Sequence, residues 1–300
     1  MLLIPSYAKI NLALSVLGRR DDGFHDIDSV AVTIDWHDLV GISLAAAGTT
    51  AIRLRVTGAA QHVPSGPDNL AARAAAAVAV QAGPLSVDLW LDKRIPSRAG
   101  LGGGSADAAA VLSGMARILR DGIDGRDAPD AAALAKIAAA LGSDVPLLLA
   151  GGAQRVRGRG EKLTALAGPS MHLAVAIAAA SETAAAYAAS RAADRGGADR
   201  IATVAEALDG GRRPDEQHLG SALEAPAGRA NHQLRDRLGA LRDAVPEVGW
   251  HLTGSGGAAF AIARDRADAL RLAASAGAAG FVARACRTVV PAPPAETPAR

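Results

Sequence analysis

A run of glycines in the first half of the chain is the feature whose residue types could bind a phosphate. The run is flanked by Pro96 and Ser105 and consists of Gly100, Leu101, Gly102, Gly103 and Gly104. Glycines let a backbone approach a ligand closely and turn its N–H groups toward it. A helix predicted to begin near Ser105 adds unpaired N–H groups and a positive dipole end, which suit a polyphosphate. A flexible connection capped by Ser105 is the structural alternative.

The glycine run differs from two better known phosphate loops. A Walker A loop needs Gly-Lys-Ser/Thr, and this run has no lysine. The dinucleotide fingerprint needs a third glycine where Ser105 stands. The run therefore predicts a phosphate site of another class.

Lysine is rare in this chain and draws attention to Lys9. The 32 basic residues include four lysines, which are Lys9, Lys93, Lys136 and Lys162. Where arginine is the default, a lysine can mark a place that needs a compact ammonium. The formal net charge of +2, the scattered arginines and the 3% aromatic content predict no nucleic-acid partner.

The composition indicates a packed protein of two domains. The chain has 300 residues, of which 50% are hydrophobic and 21% charged. Its single cysteine, Cys286, excludes a disulfide within the chain and a cysteine-based zinc site. The first residues lack the pattern of a signal peptide, and no apolar run approaches the roughly 20 residues of a membrane span. We therefore expect a soluble, cytoplasmic protein without a membrane partner.

Strands and helices alternate irregularly around the glycine run, which favours an α+β fold in two lobes. The clearest strand, over 85–91, alternates apolar and polar residues and leads directly into the run. Further strands are predicted over 2–17, 30–34, 39–44, 51–56, 172–179 and 280–290, with a loop over 18–28. Helices are predicted over 70–81, 105–119, 129–141, 183–195, 231–244 and 267–276. The region 196–220 is polar and rich in turns, with patches of helix.

Three segments resemble the motifs of the GHMP kinases, small-molecule kinases named for galactose, homoserine, mevalonate and phosphomevalonate. Pro96–Ala109 is similar to their phosphate loop, Pro5–Leu12 to their N-terminal motif and Leu252–Phe260 to their C-terminal glycine motif. The likeness extends over most of the chain. It implies a two-lobed GHMP kinase fold, with a ribosomal-protein-S5-like N-terminal lobe over 1–162 and a ferredoxin-like C-terminal lobe over 163–290. Residues 291–300 are then a flexible tail.

Three further segments resemble one branch of these kinases. They are Gly18–Ile27, Gly142–Pro146 and Ser181–Tyr187. The resemblance implies phosphorylation of the 2-hydroxyl of 4-diphosphocytidyl-2-C-methyl-D-erythritol in the non-mevalonate (MEP) isoprenoid pathway. ATP is then the phosphoryl donor, and Mg²⁺ arrives with it. The cytidyl diphosphate substrate and ATP are the expected partners, and the protein is expected to be a monomer or a weak homodimer.

The family pattern implies that Asp144 and Lys9 are the catalytic pair. An aspartate is ionised at neutral pH and can take a proton from the acceptor hydroxyl as the bond to phosphorus forms. An ammonium nearby would keep that carboxylate ionised and steady the reacting oxygens. From the residues alone, Asp144 or Ser143 is equally a helix N-cap ahead of Pro146, and Lys9 a solvated strand lysine.

The resemblance also implies the ATP site. Asn69 is expected near the adenine, although capping a helix is its structural alternative. The phosphates are expected on the glycine run, from Pro96 and Gly100 to Ser105. The Ser105 hydroxyl is expected nearest to Mg²⁺, with Asp107 or water sharing that task, and no tightly held metal is expected.

Phe24 and His25 have the residue types that a cytosine pocket needs, because a flat ring stacks on the base and an imidazole bonds its polar edge. A surface histidine is the alternative for His25, and helix packing is the alternative for Tyr187. The remaining residues assigned to the substrate are Asn11, Tyr187, Thr183, Thr253, Gly254, Ser255 and Gly256. A glycine hairpin is the alternative for the last four.

One segment departs from the family pattern, and two other functions remain open. The segment Asn231–Leu234 reads Asn-His-Gln-Leu where an Asn-Asp-Leu is expected, which puts in doubt a role for an acidic residue there. A GHMP kinase for another alcohol, such as homoserine or mevalonate, would make no use of Phe24 and His25. A non-catalytic nucleotide-binding protein would bind ATP without turnover.

Overall fold

The computed structural model describes residues 1–123 and 126–289 and has the expected α+β character. Its strands are β1 (Leu2–Arg19), β2 (His25–Ala46), β3 (Ala51–Gly58), β4 (Leu85–Lys93), β5 (Ala153–Gly158), β6 (Lys162–Leu166), β7 (His172–Ile177), β8 (Gly220–Ser221), β9 (His251–Leu252), β10 (Ala258–Ala263) and β11 (Val282–Arg287). Its α-helices are α1 (Leu70–Ala82), α2 (Gly103–Gly122), α3 (Ala131–Leu141), α4 (Val145–Ala150), α5 (Thr183–Ala188), α6 (Ala198–Asp209), α7 (Glu224–Ala230), α8 (His232–Ala244) and α9 (Arg266–Ala278). No helix in these ranges is long and apolar enough to cross a bilayer.

The larger sheet has seven strands within the described residues, in the order β3-β4-β2-β1-β8, with β5 on β2 and β6 on β5. The β3–β4 and β1–β8 pairs are parallel, and the other pairs are antiparallel. β4 buries every second residue, and its apolar face packs with α1 and α2 in one core cluster. This packing fixes the start of α2, and therefore the glycine run before it, against the sheet.

β2 is one long strand, whereas the sequence predicted a loop up to residue 28 and two short strands. Polar residues at 35, 37 and 38 break the apolar alternation that the prediction used. In the structure they coincide with a bulge, where the register shifts between the pairs Tyr7–His37 and Ala8–Ile34. A bulge bends a strand without ending it, so hydrogen bonding to β1 continues on both sides.

The smaller sheet is antiparallel, in the order β11-β7-β10-β9, and α9 packs on β7 and β11. Its other face shares a core cluster with the first sheet, in which Ile10 of β1 lies with Leu173 of β7 and Phe260 of β10. β8, which follows β7 along the chain, returns to pair with β1. The two sheets therefore meet along β1, while the division of the chain at residues 162 and 163 stays a prediction.

The predicted helix over 183–195 is wrong in its length. α5 ends at Ala188, and a short 3₁₀ turn follows at Ala192–Asp194. Alanine raises helix propensity, but Ala186 is the one buried residue of α5, so little packing supports a longer helix. The sequence also understated α6, which lies in the region 196–220 that it read as rich in turns, and it made no prediction for α7. The predicted tail and the end of the last predicted strand lie outside the described residues.

A buried cluster of charges lies under the glycine run. Lys93, the last residue of β4, occupies a buried position of the alternating pattern and forms ion pairs with Asp38 of β2 and Asp107 of α2. Asp107 also accepts a hydrogen bond from the Ser6 hydroxyl at 2.8 Å. Burial raises the pKa of Asp107 to about 6, although Lys93 opposes that shift. The cluster joins β1, β2, β4 and α2.

We predict that Lys93→Met lowers the free energy of unfolding by about 3–5 kcal/mol, because it leaves two carboxylates buried without their cation. Buried carboxylates without a cation bind protons more tightly in the folded state than in the unfolded chain, so stability falls as the pH rises through that range. The loss measured by urea denaturation should therefore be larger near pH 8 than near pH 5.

Arg53→Ala is the matched control, because Arg53 pairs with Asp88 on the exposed face of the same sheet. It should change stability little at either pH. An equally small effect of Lys93→Met would show that the buried cluster does not stabilise the fold.

Candidate active site

Lys9 and Asp144, which are 135 positions apart in the chain, face each other in the structure. The Lys9 Nζ lies 3.6 Å from Asp144 Oδ2, and the Lys9 side chain is buried whereas that of Asp144 is 43% exposed. The ammonium also donates a hydrogen bond of 2.8 Å to Asn11 Oδ1. Lys9 is thus a held cation beside an accessible carboxylate.

Asp144 stands at the N-cap of α4 but does not use its side chain to cap that helix. Gly142 ends α3, and Pro146 lies in the first turn of α4, so the sequence confines the turn between the two helices. Asp144 therefore occupies the N-cap position that the alternative interpretation predicted, but its side chain makes no capping hydrogen bond. The carboxylate remains free to face Lys9 and solvent.

Asn11 fixes the position of Lys9. Its Nδ2 donates to Ser29 Oγ at 2.9 Å, while its backbone N–H donates to Thr253 Oγ1 at 2.7 Å. The side-chain amide is thereby oriented by Ser29 of β2, and the Asn11 backbone is bound to Thr253 in the loop after β9. Because all these groups are buried, the ammonium is held in one direction.

The glycine run lies directly on β1. The Lys9 N–H donates to the Leu101 carbonyl at 2.9 Å. Gly102 is the N-cap of α2, with a φ of 73°, and a Cβ there would lie 3.1 Å from the Lys9 Cγ. Glycine is therefore required both by the left-handed backbone and by the close approach of the lysine stem. α2 begins at Gly103, so Ser105 lies inside its first turn and does not cap it.

The second glycine loop, Thr253–Gly257, packs back to back against the first. A side chain on Gly100 would collide with the Gly256 carbonyl, and one on Gly257 would lie 2.5 Å from the carbonyl carbon of Ala99. Gly254 approaches the site itself, since a Cβ there would lie 3.5 Å from the Lys9 Nζ. The alternative of a simple glycine hairpin does not account for this turn, because the turn lines the site beside Lys9.

Thr183 and Ser255 close the same wall. Their hydroxyls lie 2.9 Å apart, and the neighbouring Ser181 hydroxyl donates to the Ser255 carbonyl at 2.9 Å. The Ser181 N–H donates to the Arg98 carbonyl, at the edge of the first glycine loop. The structure therefore brings together α5, the second glycine loop and the first.

Of the two residues expected near Mg²⁺, Ser105 has an uncommitted hydroxyl, whereas Asp107 is buried in the core. The Ser105 hydroxyl is half-buried and has no hydrogen-bond partner among the described residues, whereas Asp107 is turned into the core onto Lys93. No group of three histidine, cysteine or acidic residues that could hold a metal occurs in the described ranges. These donors fit a Mg²⁺ ion carried by phosphate and water oxygens, with Ser105 as a protein contact.

Asn69 takes the capping role that the sequence left as its alternative. Its Oδ1 accepts from the Ala71 N–H at 2.9 Å, and its Nδ2 donates to the Pro64 carbonyl at 2.7 Å. Asn231 behaves likewise, because its side chain caps α8 and donates to the Ala180 carbonyl. The departure from the family pattern at 231–234 is thus an ordinary helix start.

His25 and Tyr187 form a tilted ring pair, with centroids 5.0 Å apart. Burial raises the pKa of Tyr187 to about 12, and the nearby charge of Asp144 adds to that shift. Burial also lowers the pKa of His25, and the charges of Arg19 and Arg195 lower it further. The neutral imidazole and the phenol therefore lie on the same side of the site as the catalytic candidate.

Phe24 lies at the tip of the β1–β2 hairpin and is 52% exposed. The Arg159 guanidinium covers its ring, at 4.8 Å from the centroid. Phe24 is therefore beside His25 in the chain but outside the tilted ring pair.

Sequence reasoning missed Asp38, Ser29 and Arg159 as contributors to the site, and it gave Lys93 no role. The sequence did contain a signal for Lys93. It is one of four lysines, and it falls on the face of β4 that the alternation of apolar residues predicts to be buried. No pattern in the sequence indicated the cross-strand contact of Ser29 or the reach of Arg159 to Phe24.

A separate cavity of about 1090 Å³ lies between α7, α8 and β8 and contains neither Lys9 nor Asp144. Its guanidiniums are largely engaged, with Arg229 on Asp194 and Arg242 on Glu224. Its volume alone does not make it the reaction site. The free carboxylate, the held ammonium and the open N-terminus of α2 lie together elsewhere, where a hydroxyl and a phosphate could meet.

Comparisons with known proteins identify the family to which the chain is similar. The family model described as the GHMP kinases N terminal domain matches residues 69–152. The 4-diphosphocytidyl-2-C-methyl-D-erythritol kinase of Moorella thermoacetica is 45% identical over 166 residues, which is 55% of this chain and 54% of that protein. The match thus spans about half the length of that relative.

Two other likenesses extend over nearly the whole chain. The protein of the same name from Anaeromyxobacter sp. is 38% identical over 303 aligned residues, covering 94% of this chain and 89% of the relative. A crystal structure of 4-(cytidine 5'-diphospho)-2C-methyl-D-erythritol kinase superposes with a TM-score of 0.78 at 33% identity, covering 96% of this chain and 99% of that one. The chain therefore belongs to the 4-diphosphocytidyl-2-C-methyl-D-erythritol kinase family of the GHMP kinases.

Proposed function

We propose that this protein transfers the γ-phosphoryl group of ATP to the 2-hydroxyl of 4-diphosphocytidyl-2-C-methyl-D-erythritol. The observation that carries the proposal is the Lys9–Asp144 contact of 3.6 Å beside the N-terminus of α2. Family membership supports the choice of substrate. The ring pair of His25 and Tyr187 supports it further, because these side chains suit a base such as cytosine.

Asp144 is the proposed acceptor of the hydroxyl proton. Its exposed carboxylate can accept a hydrogen bond from the substrate and take the proton as the oxygen bonds to phosphorus. Lys9, 3.6 Å from that carboxylate, offsets negative charge on the reacting oxygens. Asn11 contributes by holding the ammonium, so the charge is in place before the substrate arrives.

The ATP phosphates are proposed to lie over Gly102–Ser105, where the free N–H groups of α2 point outward. Mg²⁺, when bound with ATP, would offset the charge of the transferred group. Ser105 is the residue that would contact it, because its hydroxyl is uncommitted and Asp107 is not available. Thr253–Ser255 would close over the acceptor on the opposite side.

The reaction is tested by ADP release from the purified protein with Mg·ATP and the cytidyl substrate, with mevalonate and homoserine as controls. Turnover with the cytidyl substrate alone is expected. Turnover with a control alcohol would assign a different GHMP kinase activity. ATP binding without turnover on any of the three would point to a non-catalytic nucleotide-binding protein.

We predict that Asp144→Ala lowers kcat by at least about 100-fold, because the hydroxyl loses its proton acceptor. The affinity for ATP, measured by calorimetry, should change little, since the proposed phosphate site is Gly102–Ser105 at the start of α2, whereas Asp144 is at the start of α4. Asp130→Ala is the control, because Asp130 caps α3 with an exposed side chain away from Lys9. Near-normal turnover of Asp144→Ala would rule out this role.

We predict that KM for the cytidyl substrate stays constant above neutral pH and rises as the pH falls through the pKa of His25. Burial and neighbouring arginines lower this pKa, so the imidazole is neutral at pH 7 and can both donate and accept hydrogen bonds. Protonation removes the acceptor. His25→Gln, whose amide keeps both functions without titrating, should flatten the profile. An unchanged profile in that variant would exclude His25 as its cause.

A further inference from the structure

The proposed substrate carries a diphosphate, and the residues assigned above offer it no cation. Lys9 is engaged with Asp144 and Asn11, and His25 is neutral near pH 7. Phosphate oxygens in a protein are commonly matched by guanidinium groups, whose donors fit them in pairs. Arginines without a carboxylate partner among the described residues are therefore candidates to bind the diphosphate.

Arg19 is the first such residue. It is the last residue of β1 and lies directly opposite His25 in the β1–β2 register, so the two side chains leave the sheet on the same face. It is exposed and has no ion-pair partner within residues 1–123 and 126–289. Arg20, the next residue, differs because Asp22 and Asp26 already neutralise it.

Arg195 approaches the same place from the other part of the chain. It precedes Gly196 and Gly197, and the Ser15 hydroxyl of β1 donates to the Gly197 carbonyl at 3.0 Å. This contact holds the segment against β1 four residues before Arg19. Arg195 is also exposed and unpaired in the part of the chain that the structure describes.

Arg159 completes the group from the β5–β6 turn. Its guanidinium lies 4.8 Å from the centre of the Phe24 ring, and it pairs with no carboxylate within ion-pair distance in the described ranges. The turn is fixed beside the catalytic candidate, since a Cβ on Gly160 would lie 2.7 Å from the Ser143 carbonyl. Arg159 thus lies between Phe24 and the turn that carries Ser143 and Asp144.

We propose that Arg19, Arg159 and Arg195 bind the diphosphate of the substrate and so select a nucleoside diphosphate over an uncharged nucleoside. The inference rests on the proposed function, because it uses the chemistry of that substrate. Arg19 lies opposite His25 in the β1–β2 register, and the positive charges of Arg19 and Arg195 both act on the His25 imidazole, where the base is expected. Arg159 covers the ring of Phe24, the residue before His25. The diphosphate links that base to the sugar alcohol at Asp144, so it must cross this surface.

The kinetic test compares Arg19→Gln, Arg159→Gln and Arg195→Gln with the control Arg117→Gln. Arg117 is exposed on α2, fourteen residues and about 20 Å along the helix from Gly103. Each substrate-side variant should raise KM for the cytidyl substrate about three- to tenfold. kcat and KM for ATP should change less than about twofold, and the control should match the parent protein.

A binding test separates this inference from the proposed reaction, because it needs no turnover. The affinities of cytidine 5′-diphosphate and cytidine are compared by calorimetry with the ATP site filled by a non-hydrolysable ATP analogue. The parent protein should bind the diphosphate more tightly, and the preference should shrink in each variant. The inference is overturned if the parent shows no preference, or if all three variants retain it.

A spectroscopic readout reports whether the arginines act at this site. Removing the positive charge of Arg19 or Arg195 should raise the pKa of His25, followed by NMR, while Arg117→Gln should leave it unchanged. An unchanged His25 pKa in both variants would place these charges away from the pocket. A protein that releases no ADP but passes the binding test would keep the diphosphate site and lose the proposed reaction.

Discussion

The approach of two glycine backbones holds this site together. Gly100 meets Gly256, and Gly257 meets Ala99, at separations that leave no room for a side chain. One loop belongs to the larger sheet and the other to the smaller, so this contact sets the distance between the two sheets at the reaction site. Protein interiors are close-packed, so a side chain added to either loop would displace the other loop. These glycines are thus needed for the contact between the two loops, in addition to the phosphate binding proposed for the first loop.

Buried charges fix the first glycine loop, which lies between β4 and α2. Asp38 accepts a hydrogen bond from the Ile95 N–H where the loop begins and pairs with Lys93. Lys93 also pairs with Asp107, the fifth residue of α2. These groups are buried, where charge interactions are strong and an unmatched carboxylate is costly. The loop is therefore clamped at both ends by one cation. Its N–H groups are pre-positioned for an anion, which is how backbone donors act without reorganising.

The sequence was informative where chemistry depends on local motifs and silent where it depends on distant contacts. The glycine run and the strand before it were predictable from composition and alternation. The meeting of Lys9 with Asp144 was not, because no periodicity relates residues 135 positions apart, and it came from the family resemblance. The bulge in β2 and the short α5 escaped prediction, since tertiary packing decided both. The alternation of β4 placed Lys93 on its buried face, but it could not show which carboxylates would pair with it, because Asp38 and Asp107 come from other elements.

In the proposed complex, the distribution of charge on the protein orients the substrate. Asp144 is exposed and negative, so it repels a diphosphate and tolerates a neutral hydroxyl. Arg19, Arg159 and Arg195 lie around the other end, where they attract the diphosphate in the proposed complex. The charges of Arg19 and Arg195 also help keep His25 neutral, and a neutral imidazole can read both a donor and an acceptor on the base. In the proposed complex, Arg19 and Arg195 therefore act twice, by binding the phosphates and by keeping neutral the imidazole that recognises the base.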